Sequence, residues 1–209
     1  MIMGRMTATT ALQGALRLTD WGLIRAQGPD AASFLHGQLT QDTNSLRTGT
    51  ARLAGYCSPK GRLLASFIVW RGDADTLYLA CSADLLAPTL KRLSMFVLRA
   101  KCKLTDASAD LPLFGLAGTE AASWLGDAAP AAAWASASLG AGQVIRLPDV
   151  DGMPRWLLAQ PADTPAPALP ALPPDTWAQL EVRSGVVRIT AATVEQFVPQ
   201  MVNLELVGG

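Results

Sequence analysis

Residues 63–70, LLASFIVW, limit the folds open to this chain more than any other stretch of its 209 residues. The run carries no charge, and an extended strand of this composition is apolar on both faces, which indicates a position inside a sheet. A second strand is predicted over residues 52–57, and the segment SPKG of residues 58–61 joins the two. Proline followed by glycine is typical of a tight turn. We therefore predict a hairpin whose second strand is central in its sheet.

Strand and helix patterns alternate around this hairpin, and the alternation begins before it. Residues 16–26 contain strand material and are followed by Gly28 and Pro29. Because the first turn of a helix does not need the N–H that proline lacks, we predict a helix over residues 30–39.

Beyond the hairpin, a strand over residues 77–81 leads into an amphipathic helix. This helix is indicated by apolar residues at spacings of four, three and four, namely Leu86, Leu90, Leu93 and Val97. Pro88 requires the helix either to begin near Asp84 or to bend. Residues 101–105 then return as a strand. The order strand, helix, strands, helix, strand is that of a ferredoxin-like α+β unit.

Similar patterns restart after residue 112, although they are shorter. Strands are predicted over residues 113–117, 144–147 and 156–159. A short helix over residues 119–125 is predicted to be capped by Thr119. Six of the fourteen residues from 161 to 174 are proline, so this piece is predicted to be a surface linker.

The chain is predicted to divide into four segments, the last of which opens with a helix over residues 176–184 that ends at Gly185. These segments are a loose leader over residues 1–14, a first α+β domain over residues 15–108, a smaller second α+β domain over residues 109–174 that ends in the linker, and a returning helix with a channel segment over residues 175–209.

Composition narrows the classes of function. Half of the residues are apolar and 16% are charged, which indicates a compact protein. Lysine plus arginine equals aspartate plus glutamate at 17 each, so no general electrostatic field attracts nucleic acid or an anionic membrane. We therefore expect neither direct binding of nucleic acid nor membrane attachment.

The three cysteines, Cys57, Cys81 and Cys102, are widely spaced and form no CxxC motif. With a single histidine, His36, they do not compose a metal site. We expect reduced, mostly buried thiols. The first ten residues lack the apolar core of a signal peptide, and no uncharged run is long enough to span a bilayer. We therefore expect a cytoplasmic protein.

Several residues that could suggest catalysis are better explained by structure. The triplet Lys60-Gly61-Arg62 lacks P-loop spacing and is predicted to be a turn with two solvated cations. His36 is predicted to be a hydrogen-bonded helix residue. Ser66 stands in no GxSxG elbow, so no hydrolase is indicated.

Four blocks in order carry a family resemblance. They are WGLIR at 21–25 with the segment 28–42, YCSPKGRLLASF at 56–67, KRLSMFVLRAK at 91–101, and EQFVPQ at 195–200 with a closing Gly-Gly at 208–209. Together they resemble the YgfZ-type folate-binding proteins of the aminomethyltransferase-like GcvT superfamily. The resemblance implies a ferredoxin-like unit plus a second, smaller α+β domain, as in the aminomethyltransferase folate-binding fold.

The resemblance also implies a folate pocket, with a tetrahydrofolate derivative as cofactor. Two tryptophans line that pocket in the family, and Trp21 and Trp177 match them. Arg183 is the candidate for the glutamate tail of folate, and Glu195 is the candidate for the amino-pyrimidine edge. Core aromatics, an exposed helix charge and a solvated loop residue are the alternatives for these four positions.

In function, the resemblance implies folate binding in iron–sulfur cluster assembly or repair, with client iron–sulfur enzymes as partners and an indirect effect on tRNA modification. We expect no catalytic residue in this chain itself. One alternative is a folate-dependent aminomethyltransferase, whose acidic residues after the hairpin glycine are matched here by Ala65 and Ser66, which cannot perform that proton transfer. The other alternative is a truncated paralogue that binds no folate.

The sequence ends where family members continue into a KGCYxGQE segment and a C-terminal barrel domain. We therefore expect that domain to be absent, together with the reactive cysteine of the signature. Apolar surface is then expected near Phe197, Val198, Met201 and Leu206, and such surface favours a homodimer or aggregation.

Overall fold

The structure is a computed structural model that describes residues 13–206. All but the last two residues of the predicted leader therefore lie outside the described residues. Within these, ten strands form two five-stranded antiparallel sheets. The predicted α+β class is confirmed.

The strands are β1 (Gly14–Arg17), β2 (Trp21–Gln27), β3 (Ala51–Cys57), β4 (Leu63–Asp73), β5 (Thr76–Ser82), β6 (Lys103–Asp106), β7 (Leu113–Ala117), β8 (Ser136–Leu139), β9 (Gly142–Val150) and β10 (Met153–Ala159). The helices are α1 (Ala31–His36), α2 (Ala83–Val97), α3 (Gly118–Leu125) and α4 (Pro174–Arg183), with short 3₁₀ turns at Gly126–Ala128, Pro199–Val202 and Leu204–Leu206.

The first sheet has the order β3-β4-β5-β2-β6. This is the ferredoxin-like arrangement with β3 added at one edge. Strand β4 has a neighbour on both sides, so the prediction that residues 63–70 are central is confirmed. The predicted turn before it also forms, because Gly61 adopts a φ of +72° and the N–H of Ser58 donates to the carbonyl of Arg62 at 2.8 Å.

Helices α1 and α2 cover the outer face of the first sheet. Helix α2 directs Leu86 and Leu93 into a core shared with Phe34 and Leu35 of α1. It begins at Ala83 and contains Pro88 in its second turn. The first of the two alternatives for Pro88 is therefore correct, since a proline is tolerated best near the start of a helix.

The second sheet has the order β1-β7-β10-β9-β8. Its edge strand β1 precedes all strands of the first sheet in the sequence. It pairs with β7 from Gly14↔Ala117 to Arg17↔Phe114. Helix α3 covers the outer face. Thr119 is not its cap, because the helix begins at Gly118 after Ala117. The Thr119 hydroxyl instead donates to Oε1 of Gln13 at 3.0 Å.

The two sheets pack face to face, and the core between them draws on both. Leu53, Ile68 and Trp70 come from the first sheet, and Ile145 and Leu157 come from the second. Residues 161–173 form no helix or strand. They lead into α4, which buries Trp177 and Leu180 in this same core. The predicted end of α4 is confirmed at Gly185, which has a φ of +69°.

The chain then returns along the first sheet, and Leu204 is buried against β3. Near its end, Met201 is 66% exposed and Leu206 is 77% exposed, as expected. Phe197 and Val198 are half-buried instead, because the Phe197 side chain packs on the cluster formed by Leu63, Leu85 and Ile189.

Other expectations from composition concern cysteines, metals and membranes. The three cysteines form no disulfide, and burial raises the pKa of the Cys81 thiol to about 12. The part of the chain that the structure describes holds no cluster of three or more His, Cys, Asp or Glu side chains suited to a metal ion. Over the same residues, no helix is long and apolar enough to cross a bilayer.

Candidate functional site

A small cavity lies between the two sheets, where α4 and the residues that follow it reach the first sheet. Its volume is about 30 Å³, the space of about one water molecule. Apolar residues of β3, β4 and β9 form much of its wall. The polar or amphipathic side chains that reach it are Trp21, Ser66, Arg155, Glu181, Ser184 and Arg188.

Trp21, the first residue of β2, is held at this cavity by two contacts. Its indole Nε1 donates to Oε1 of Glu181 at 3.0 Å. The guanidinium of Arg188 lies 5.0 Å from the centre of its ring, which is a cation–π distance. Arg188 is in turn held by the carboxylate of Asp20 at 2.7 Å. One face of the indole is therefore covered by a fixed positive charge.

Glu181 lies on α4 and contributes a carboxylate to the cavity. Its side chain is only 18% exposed, and its Oε2 lies 3.4 Å from a nitrogen of Arg188. Burial raises its pKa above the usual value, while the charge of Arg188 acts in the opposite direction. The site therefore contains a carboxylate with few water contacts and a positive partner.

Arg155 of β10 is the most deeply buried charge of the site, at 1% exposure. Strand alternation places it on the same face as Leu157, toward the first sheet. Its Nε donates to the carbonyl of Pro148 at 3.2 Å, but its Nη1 is buried without a hydrogen-bond partner. Burial lowers its pKa to about 10, so it remains protonated at neutral pH. An unpaired buried N–H of a cation is costly, and it is suited to an incoming acceptor.

Trp177, the second predicted pocket tryptophan, does not line the cavity. It is 3% exposed and packs on Gly115, where a Cβ atom would lie 2.7 Å from its ring. Its indole N–H makes no hydrogen bond of normal length, although it lies near enough to Glu181 to lower that pKa. The guanidinium of Arg155 lies 5.5 Å from its ring. Trp177 therefore stands behind the cavity and supports Arg155.

Arg183 and Glu195, the other two predicted site residues, also lie away from the cavity. Arg183 is 57% exposed and forms an ion pair with Asp151 of the β9–β10 turn. Glu195 is exposed on a turn with a φ of +61°, and its N–H donates to the carbonyl of Leu63 at 2.8 Å. The structure thus brings Trp21 to the cavity and does not bring Arg183 or Glu195 there.

Trp21 also borders a second, outer space. A groove of about 200 Å³ is lined by Trp21 together with Arg17, Leu23, Ser108 and Leu113, among others. Trp21 is therefore a lining residue of both the small cavity and the groove.

The remaining sequence candidates do not form a catalytic group. Ser66 reaches the cavity, but its Oγ donates to the carbonyl of Val187 at 3.2 Å and accepts from the N–H of Ile189 at 2.9 Å. His36 has an acidic partner after all, Asp42, with a nitrogen–oxygen distance of 3.1 Å. That pair is about half exposed and is not part of the cavity.

Sequence reasoning missed Glu181, Arg155 and Arg188. One signal could have identified Glu181, because it follows Trp177 by four residues and therefore lies on the same side of α4. Arg155 and Arg188 carry no such local signal. Each reaches the site only because two sheets meet there.

Comparison with known proteins places this architecture in a family. Residues 7–159 match the GCVT N-terminal domain. The tRNA-modifying protein YgfZ of Edwardsiella ictaluri (strain 93-146) is 35% identical over 205 residues, and that of Klebsiella pneumoniae (strain 342) is 30% identical over 207 residues. Each alignment covers 93% of this chain and 61% of the relative, so the chain spans somewhat less than two thirds of their length.

A solved structure shows the same fold. The glycine cleavage system aminomethyltransferase T from Bartonella henselae superposes with a TM-score of 0.62 at 20% identity, over 72% of this chain and 42% of that protein. At this identity the similarity concerns the fold alone. The match to the GCVT N-terminal domain covers well over half of the sequence. This chain therefore belongs to the GCVT N-terminal domain family and is a relative of the YgfZ proteins.

Proposed function

We propose that this chain binds a tetrahydrofolate derivative between its two sheets and acts in iron–sulfur cluster assembly or repair, with an indirect effect on tRNA modification. The observation that carries the binding proposal is the unpaired Nη1 of Arg155, which is buried at the cavity that Glu181 and Trp21 also line. The relatives named as tRNA-modifying proteins support the wider role.

The chemistry of the polar side chains suits a pterin. A pterin edge presents a carbonyl oxygen beside N–H groups, so it needs one donor and one strong acceptor. Arg155 offers a free N–H, and Glu181 offers a carboxylate in a setting of low dielectric, where such hydrogen bonds are strong. In this proposal Glu181 takes the role that the sequence suggested for Glu195.

A folate ligand needs more space than the cavity has, and in this proposal displacement of the Trp21 side chain provides it. A cavity of about 30 Å³ is smaller than a pterin ring system, whereas the adjoining groove has about 200 Å³. Displacement of the indole would open the cavity to the groove and leave an aromatic surface beside the ligand. An aromatic contact of this kind contributes about 0.5–1.5 kcal/mol beyond burial. Arg17, which lines the groove, then offers a cation to the carboxylates of the glutamate tail.

The binding proposal is tested by titration with folinic acid, followed by tryptophan fluorescence and by calorimetry. We expect saturable quenching in the parent chain. The Glu181→Gln and Trp21→Ala variants should each weaken binding by about tenfold to a hundredfold, because each removes one contact of 1–3 kcal/mol.

Matched controls come from the residues outside the cavity. Glu195→Gln makes the same chemical change as Glu181→Gln, and Arg183→Gln matches Arg155→Gln. Both controls should stay within about twofold of the parent, since neither side chain reaches the cavity. If the two controls lose affinity while Glu181→Gln and Arg155→Gln keep it, the folate site is elsewhere and our assignment is wrong.

The iron–sulfur part is tested in a bacterium that lacks its YgfZ protein, by assaying an iron–sulfur enzyme and its tRNA modification. Because the chain spans 61% of its relatives, the assay compares this chain alone with a fusion to the remaining C-terminal part of the Edwardsiella relative. We expect rescue by the fusion and loss of rescue with Glu181→Gln. The chain alone should not restore activity.

A second candidate, folate-dependent aminomethyl transfer, is favoured by one observation. Glu181 is a buried carboxylate with a raised pKa, which is a property of general acids and bases. Against it, one oxygen of Glu181 accepts from Trp21 and the other faces Arg188. Formation of methylenetetrahydrofolate and ammonia from tetrahydrofolate and an aminomethylated carrier protein, with loss of this activity in Glu181→Gln, would favour the transferase. Absence of any folinic acid binding would favour the paralogue that binds no folate.

A further inference from the structure

Helix α2 carries exposed apolar side chains at its C-terminal end. Met95 is 58% exposed, Phe96 is 46% exposed and Leu98, directly after the helix, is 86% exposed. The inner face of the same helix already buries Leu86 and Leu93. These three side chains are therefore not needed for the core, and they form an apolar surface at one end of α2.

Positive charge surrounds this surface. Five cations lie among the thirteen residues 91–103, and no acidic residue lies among them. They are Lys91, Arg92, Arg99, Lys101 and Lys103. None of the five forms an ion pair within residues 13–206. The carboxylate of Asp30 accepts the backbone N–H of Lys101 at 2.7 Å. In a chain of zero net charge, this end of α2 is a local basic surface.

A groove of about 300 Å³ lies between α2 and the first sheet and is lined by Met95, one of the three exposed apolar residues. Its floor and walls are mainly apolar, with Tyr56 and Leu64 from the first sheet, Leu85 and Met95 from α2, and Val194 from the returning segment. Lys91 and Arg92 also line it. Leu85, Thr89, Arg92 and Phe96 follow one another at spacings of four, three and four, so Phe96 continues the stripe of α2 that faces the groove.

The backbone at Leu98 is an independent observation. Leu98 has a φ of +44° directly after the helix, a conformation that glycine adopts without strain and that is unfavourable for leucine. Its side chain is almost fully exposed, so no packing within the described chain compensates for this strain. Strained positions of this kind are concentrated at functional surfaces.

We propose that the outer face of α2 is a docking surface for an acidic amphipathic segment of a partner protein. Apolar side chains of that segment enter the groove and contact Met95, Phe96 and Leu98. Its carboxylates pair with Lys91, Arg92, Arg99 and Lys101, which form no ion pair among the described residues. Recognition of an amphipathic segment by a groove with charged rims is a common mode of binding.

The lining favours a protein segment over nucleic acid. Binding of single strands uses several aromatic side chains on which bases stack, whereas Phe96 is the only aromatic side chain of the exposed patch. Lys91 and Arg92 at the groove could pair with a phosphate, but the apolar remainder of its wall offers no second exposed aromatic platform for a base. A concave groove also fits side chains of one segment better than a flat lipid surface does.

The experiment uses a dye-labelled synthetic peptide of about five helical turns, with leucine at spacings of three and four and glutamate elsewhere. Binding to the full chain is measured by fluorescence anisotropy. We expect saturable binding that weakens at least tenfold at about 0.5 M salt, because charge pairing at the rim is screened. A peptide with lysine in place of every glutamate should not bind.

Two variants and two matched controls identify the surface. The double variants Phe96→Ser with Leu98→Ser, and Arg99→Glu with Lys101→Glu, should each weaken peptide binding at least tenfold. Controls make the same changes at exposed positions elsewhere, namely Val182→Ser with Leu206→Ser, and Arg47→Glu with Lys60→Glu, and they should bind the peptide as the parent does. All of these side chains are exposed, so folding is retained.

Three outcomes would overturn the proposal: equal binding of the lysine peptide, equal losses in the control variants, or tighter binding of tRNA or of anionic vesicles through these same residues. The proposal does not depend on the folate site. Folinic acid titrations of the α2 variants should match those of the parent, so a failure of either idea leaves the other unaffected.

Discussion

The two sheets have the same construction but are completed differently. Each sheet contains a three-stranded meander, which is β3-β4-β5 in the first sheet and β8-β9-β10 in the second. The last strand of the meander pairs with the strand that precedes the meander in its sheet, which is β2 in the first sheet and β7 in the second. One further strand pairs with β2 or β7 and completes the sheet. The first sheet takes its remaining strand from the chain that follows, through α2 and β6. The second sheet takes it from β1, which precedes the whole first sheet, while its following helix α4 enters the core between the sheets.

This difference explains where the proposed folate site and the proposed docking surface lie. Because β1 belongs to the second sheet and α4 returns to the core between the sheets, the chain passes from one sheet to the other next to Trp21 and again after Glu181. The buried polar site arises at these two passages. In the first sheet α2 remains on the outside, and the cations near its end form no ion pair among the described residues.

The largest effect is expected from removing Trp70, the side chain that links the two sheets. Trp70 of β4 is fully buried, stacks on Tyr78 at 5.5 Å and donates from Nε1 to Oε1 of Gln143 in β9 at 2.7 Å. Trp70→Ala should lower the free energy of unfolding by about 3–5 kcal/mol. Urea denaturation followed by far-ultraviolet circular dichroism measures the change.

Trp124 is the control for this prediction, because it is 36% exposed on α3. Trp124→Ala should change the free energy of unfolding by less than about 1 kcal/mol. Two separate transitions in the parent chain would contradict a single structure held by the core between the sheets.

A smaller effect is expected from loosening β1, the strand that completes the second sheet. Gly14 has a φ of +131°, and a Cβ atom there would collide with the carbonyl of Pro170. Gly14→Ala should destabilise the fold by about 1–3 kcal/mol. Hydrogen exchange should show faster exchange in β7, whose partner strand is displaced.

Gly140, in the β8–β9 turn, separates backbone strain from the contact with Pro170. It has a φ of +58°, but no atom lies within 4 Å of the position that a Cβ atom would occupy. Gly140→Ala should therefore cost only the strain of about 1 kcal/mol, with no change of exchange in β7. Equal behaviour of the two variants would mean that β1 does not depend on the contact at Gly14.

The smallest expected effect is a pH dependence at the site between the sheets. Burial raises the folded pKa of Glu181 above its usual value of 4.5. Below that value the carboxyl is neutral in both states. As the pH rises from 4.5 through the folded pKa, the unfolded chain releases the proton first, so stability falls over this window and is constant above it.

Glu181→Gln removes this titration. Its stability relative to the parent should therefore rise between pH 4.5 and the raised folded pKa, as measured by urea denaturation at several pH values. Glu195→Gln, on an exposed turn, should follow the parent profile. A parent profile that Glu181→Gln leaves unchanged would show that the buried carboxylate does not titrate in this range.

Local patterns in the sequence were sufficient for much of the secondary structure. The uncharged run of β4 predicted an interior strand, the four-three-four spacing predicted α2, and Gly185 predicted the end of α4. These features depend on neighbours within a few residues, so a sequence contains them directly. Strands β1 and β8 were not predicted, and both are only four residues long. Strand β1 also depends on β7, a partner far along the chain, whereas the partner of β8 is β9, which follows it directly.

The family was also determined by the sequence, through four ordered blocks, and with it the α+β class and the candidate Trp21. Only the tertiary structure decided which side chains meet. Trp177 and Trp21 both matched family positions, yet Trp21 alone lines the cavity, and Arg155 arrives from a strand with no motif of its own. The reason is physical: a strand pattern determines which face a side chain occupies, whereas its partners depend on register and on how two sheets pack together.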